Sequence, residues 1–170
     1  MKKVILSLTV VALATVVLSC KEDKTPEDYL TIKGGWKISK ATSTPAYTNS
    51  DGVTDADLAK SWFYECELSD VLEFKSDKDG NRTVLTTTCN TTVKEKETLG
   101  TWNFEDTNKD GESVEHGTLL KFRLPFFEED EKDVVTVETL DDKNFVFSYK
   151  WKPDPAGESY TFRVSYVPAK

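Results

Sequence analysis

Two neighbouring stretches near the C-terminus repeat one binary pattern, and that pattern leaves little choice of fold. In the first, Phe145, Phe147, Tyr149 and Trp151 alternate with a face that carries Asn144, Ser148 and Lys150. In the second, Tyr160, Phe162, Val164 and Tyr166 alternate with Thr161, Arg163 and Ser165. A period of two with one wet face is what an extended chain produces in an antiparallel sheet with one buried side. Between the two stretches lies Pro153-Asp-Pro-Ala-Gly157, which is turn chemistry. The pair therefore reads as a hairpin whose aromatic face looks into a core.

The same punctuation recurs upstream. Val71–Lys75 and Thr83–Thr88 flank Asp79-Gly80, a strong two-residue hairpin signal. Gly100–Glu105 and Thr118–Leu124 flank Asn108-Lys-Asp110-Gly111, and Asp141-Asp-Lys143 joins Val134–Leu140 to Asn144–Trp151. A first strand opens at Gly34-Gly35-Trp36. That makes eight strands joined mostly by short turns, which predicts an all-β, eight-stranded antiparallel up-and-down barrel with no open edge. A two-sheet β-sandwich is the alternative. Thr42–Asp57, with Pro45 and Gly52, reads as loop. Thr54–Trp62 reads as a short helix over an opening, with Thr54 as its N-cap.

The N-terminus has a different composition. Met1-Lys2-Lys3 is followed by a nearly unbroken apolar run, Val4–Leu18, and then Ser19-Cys20. The run is shorter than the roughly 20 residues needed to span a bilayer, so it reads as a secretory signal. The expected organisation is a signal peptide over 1–19, a flexible linker over 20–33, and a barrel domain over 34–170. Losing Lys2 and Lys3 with the signal takes the formal charge from −8 to −10. So acidic a body, with a single histidine, argues against nucleic acid as a partner. Apart from Cys20 at the end of the signal, Cys66 and Cys89 are the only pair. In an oxidising exported compartment they are expected to form a disulfide. Closing that loop of about 23 residues should contribute about 3 kcal/mol in the chain-entropy model.

Sites of chemistry are sparse. Asp106-Thr-Asn108-Lys-Asp110-Gly111 copies the first half of a calcium loop, but Gly117 stands where the bidentate glutamate belongs, so a polar turn is expected and no metal. His116 has no partnered nucleophile, and no two carboxylates are singled out by spacing, so no catalytic residues are assigned and no enzyme or cofactor is expected. The acidic run Glu128–Glu131 after Phe126-Phe127 reads as a solvated loop. Aromatic side chains are the richest functional material. Trp62, Phe63 and Tyr64 lie outside the strand pattern, and together with Phe147, Tyr149 and Phe162 they are the residues expected to line or cap a pocket. Core packing is the competing role for the last three.

Several of these segments carry resemblances. Val17-Leu18-Ser19-Cys20 resembles the bacterial lipobox, although Val17 and Leu18 depart from its usual residues; it implies diacylation of Cys20 and anchoring in a membrane. Lys21-Glu22-Asp23 resembles the acidic signal that sends lipoproteins of Bacteroidetes-type bacteria to the outer face of the outer membrane; an ordinary solvated linker is the alternative. Gly34-Gly35-Trp36 resembles the Gly-x-Trp opening of lipocalin folds. The block Cys66…Asp70-Val-Leu-Glu-Phe74…Asp79-Gly80-Asn81…Cys89…Gly100-Thr-Trp102 is similar to that of small lipocalin-like lipoproteins of such bacteria. The resemblance implies an eight-stranded barrel at the cell envelope that holds a small, partly apolar ligand, or else a filled barrel that works through its surface. It also implies a basic residue packed on the first-strand tryptophan, here Arg163 or Lys150 beside Trp36. It does not specify oligomeric state.

Overall fold

The computed structural model describes residues 23–48, 54–61, 67–77, 82–87, 96–124, 133–152 and 157–169. The strands are β1 (Trp36–Thr48), β2 (Thr54–Asp57), β3 (Val71–Ser76), β4 (Arg82–Thr87), β5 (Lys96–Thr101), β6 (Asn103–Glu105), β7 (Leu119–Phe122), β8 (Asp133–Leu140), β9 (Phe145–Trp151) and β10 (Tyr160–Pro168). Two short helices accompany them, α1 (Pro26–Leu30) and α2 (Leu58–Ser61). Nine strands form one antiparallel path, β5-β4-β3-β1-β10-β9-β8-β7-β6, and β2 adds to β1. The two ends of the path, β5 and β6, are consecutive in the chain, so the sheet curls into a nearly closed up-and-down barrel. The expected architecture is therefore correct.

The count of nine rather than eight has a local cause. The strand expected over Gly100–Glu105 starts earlier, at Lys96, and is divided at Trp102. Its first part pairs with β4 through Thr83↔Thr101, and its second with β7 through Asn103↔Lys121. Between them the Trp102 ring turns into the core, 1% exposed, and its indole N–H donates to the Lys75 carbonyl at 3.0 Å.

Two stretches depart from the sequence reading. β1 runs through Pro45 to Thr48, where a loop was expected; Ala41–Thr44 pair residue by residue with Val164–Thr161. Thr54–Asp57 is an extended partner of β1 rather than the start of a helix, tied by a 2.7 Å hydroxyl contact between Thr48 and Thr54. Helix begins only at Leu58, which is buried. In both places cross-strand pairing overrides weak local preference.

The linker expected over 20–33 is folded in its second half. Thr25 and Asp28 form a reciprocal capping box, Pro26 opens the helix, and Leu30 is 0% exposed within the core cluster. α1 closes one end of the barrel. Its Leu30 carbonyl accepts the indole N–H of Trp36 at 2.8 Å. Gly117 makes room for it: a Cβ there would stand 2.7 Å from Pro26 Cγ, at a φ of +88°. Gly35 does the same for β3, where a Cβ would meet the Leu72 carbonyl oxygen at 2.7 Å.

Above α1 the interior is packed with rings. Trp36 lies 5.7 Å from Phe145, Phe145 stacks with Tyr166 at 5.7 Å, and Phe74 meets Phe122 edge-on at 5.3 Å. Burial drives the Tyr166 hydroxyl well above its ordinary pKa.

Candidate functional site

The C-terminal hairpin runs from the closed end to the opposite one, and its inward side chains change character along the way. Tyr166 faces Phe145 and Val164 faces Phe147 near α1, all of them buried. Next come the pairs Phe162↔Tyr149 and Tyr160↔Trp151. Phe162 is still buried, but Tyr149, Trp151 and Tyr160 are only partly covered. The interior is thus filled at the bottom and reaches solvent through aromatic side chains at the top.

Tyr47 completes the group from β1. Its ring sits 5.2 Å from Tyr160, 5.6 Å from Trp151 and 6.3 Å from Phe162. Trp151 lies 5.6 Å from Phe162, and Tyr160 is stacked on Phe162 at an interplanar angle of 17°. α2, with buried Leu58, packs against β1. Desolvation, and then the Glu158 carboxylate, raise the Tyr160 hydroxyl's pKa, so the phenol stays neutral. Four rings, three of them with polar tips and none charged, form a surface suited to flat or ring-bearing apolar molecules.

Of the residues expected at a pocket, Tyr149 and Phe162 belong to this end. Phe147 lies one inward position deeper, enclosed by Phe122 at 5.8 Å, Phe145 at 5.4 Å and Tyr166 at 6.0 Å, which is a core position. Trp62, Phe63 and Tyr64 lie outside the described residues, as do Cys20, Cys66 and Cys89. Trp151 and Tyr160 continue stripes that the sequence already displays. Tyr47 was hidden, because the register shift between Ile38 and Lys40 changes the phase of β1: Trp36 and Ile38 point inward, and after the shift Ala41 and Ser43 do.

No protein-family model matches the chain, and no curated protein matches it.

The closed end also corrects an expectation. Neither Arg163 nor Lys150 covers Trp36. Arg163 is half exposed on the outer face and pairs with Glu138, and Lys150 lies exposed on the upper part of β9. The basic residue that does cover a tryptophan here is Arg82, whose guanidinium carbon is 4.8 Å from the centre of the Trp102 ring. Strand alternation explains the difference, since Arg163 sits between inward Phe162 and Val164 and must point out.

The Asp106–Gly117 segment is a self-satisfied polar turn. Asn108 Oδ1 accepts from the backbone of Asp110 and Glu112 at 3.0 and 2.9 Å, and Asp106 Oδ1 meets His116 Nδ1 at 2.9 Å. Among the described residues, no cluster of His, Cys, Asp and Glu side chains is arranged to hold a metal ion. Beside His116 an open cleft of about 280 Å³ lies between α1 and β8, lined in part by Lys24, Tyr29, Glu138 and Leu140.

Proposed function

We propose that this chain is a lipid-anchored, lipocalin-like protein of the cell envelope that binds a small, neutral, partly apolar molecule at the open end of its barrel, without catalysing a reaction. The observation that carries the reading is the partly exposed ring cluster of Tyr47, Trp151 and Tyr160 over buried Phe162, opposite an end sealed by α1. Exposed aromatic surface costs free energy in water, and a cluster of it at one end of a barrel suits a ligand that covers it. Anchoring through Cys20 rests on the lipobox-like sequence, with each acyl chain adding about 0.8 kcal/mol per buried CH₂. Surface display rests on Lys21-Glu22-Asp23.

A direct test is titration with an environment-sensitive apolar dye, displaced by candidate ligands. Wild type should bind one dye per chain, and a Trp151→Ala/Tyr160→Ala variant should bind at least about tenfold more weakly, since each ring contributes on the order of 1 kcal/mol. Equal binding by both would overturn the reading. Protease added to intact cells should cut the protein; an uncut protein would rule out display on the outer face.

The second reading is a filled barrel whose surface does the work. It is favoured by the complete enclosure of Phe147 and the burial of Phe162. Failure of wild type to bind any dye would select it.

A further inference from the structure

Besides buried Leu30 and the Trp36 hydrogen bond to its carbonyl, a polar assembly around His116 holds α1 to the closed end. His116, in the segment between β6 and β7, places Nε2 2.9 Å from Glu27 Oε1 of α1 and Nδ1 2.9 Å from Asp106 Oδ1 at the end of β6. Arg82 of β4 reaches the same Glu27 oxygen at 3.4 Å. The Phe104 ring stands 5.3 Å from the imidazole. Glu115 and Glu138 share the adjoining cleft with His116, and Lys24 of the arm pairs with Asp142 on the turn after β8.

An imidazole between two carboxylates has a protonation-dependent bonding capacity. The imidazolium donates to both at once. Neutral imidazole carries one N–H, so it donates to one carboxylate and turns a lone pair towards the other. From this geometry we infer that His116 is a pH-sensitive latch, clamping the N-terminal helix onto the closed end of the barrel when charged and loosening it when neutral. The helix lies a few residues along the chain from the proposed lipid anchor at Cys20, so the latch sets how firmly the arm and its Leu30 plug stay seated.

The titrations give the latch a window. The hydrogen bonds to Asp106 and Glu27 raise the pKa of His116 above its ordinary 6.5. The contribution is therefore complete below pH 6.5 and is lost as pH rises through the raised folded value. Burial works to raise Glu27, but the hydrogen bond from His116, with the Arg82 charge, leaves it below its ordinary 4.5. That contribution is present above 4.5 and is lost as pH falls through the lowered folded value. The clamp is at full strength between about pH 4.5 and 6.5.

The test uses the mature lipidated chain in detergent. Hydrogen exchange of the peptide spanning residues 24–33, corrected for intrinsic rates, should show about two- to fivefold more protection at pH 6 than at pH 8.5, the scale of partly exposed ion pairs. In His116→Gln the difference should vanish, with the pH 6 protection falling to the wild-type pH 8.5 level. Because His116 is the single histidine, its ring resonances can be titrated without assignment and should give a midpoint above 6.5. A helix equally protected at both pH values in wild type, the same loss in His116→Gln, or a midpoint at or below 6.5 would each overturn the latch.

Discussion

Leu30→Ala asks whether the N-terminal arm is part of the folded domain. α1 has five residues, far below the length at which an isolated helix holds together. What keeps it in place is tertiary, and Leu30 is its one fully buried side chain, at 0% exposure. Truncating a fully buried leucine costs about 2–5 kcal/mol, depending on how far the surroundings collapse into the space. At the rim of the barrel, partial collapse by the arm itself favours the lower half, so we expect about 3 kcal/mol. For a domain of this size that lowers the melting temperature by about 10 °C. The assay is urea and thermal unfolding followed by tryptophan fluorescence, with Trp36, hydrogen-bonded to the Leu30 carbonyl, as a local reporter. Thr25→Ala, which removes the capping hydroxyl together with one methyl, should cost about 1 kcal/mol. If Leu30→Ala stayed within 0.5 kcal/mol of wild type, the arm would be a spacer and its packing into the core would carry no stability.

Three further outcomes are expected. Arg163→Ala should change stability by less than about 1 kcal/mol, because its pair with Glu138 lies on the exposed outer face; a loss of 3 kcal/mol would put Arg163 in the core after all. Stability should fall as pH rises above 10, because the unfolded chain ionises Tyr166 at its ordinary value while burial keeps the folded hydroxyl neutral. A phenolate signal equal to all six tyrosines before any unfolding would contradict that burial. The intact mass should rise by two hydrogens under reduction if Cys66 and Cys89 are bonded, and their separation to serine should cost about 3 kcal/mol; an unchanged mass would refute the bridge.

The barrel was legible because period-two alternation and turn residues are local signals, and most strands from Val71 onward show them; β5, whose burial does not alternate, is the exception. β9 and β10 display their inward faces outright, which is why Tyr149 and Phe162 could be picked from sequence. What was not legible depended on partners distant in the chain. The upper half of β1 contains Pro45 and serine and threonine residues that resemble a loop, and becomes strand by pairing with β10. The phase change after Ile38 concealed Tyr47. α1 looked like spacer because five residues carry no periodicity, although Thr25-Pro26-Glu27-Asp28 is a helix-start signature in its own right. The role of Arg82 could not be anticipated, since its tryptophan lies 20 positions away, at the break between β5 and β6.

Whether the aromatic end holds a ligand is decided by native mass spectrometry of the protein, purified gently from its own kind of host. One bound small molecule per chain is expected, lost on denaturation and absent from the Trp151→Ala/Tyr160→Ala variant. A bare wild-type mass that takes up no apolar dye, or a bound mass that persists unchanged in that variant, would contradict that expectation.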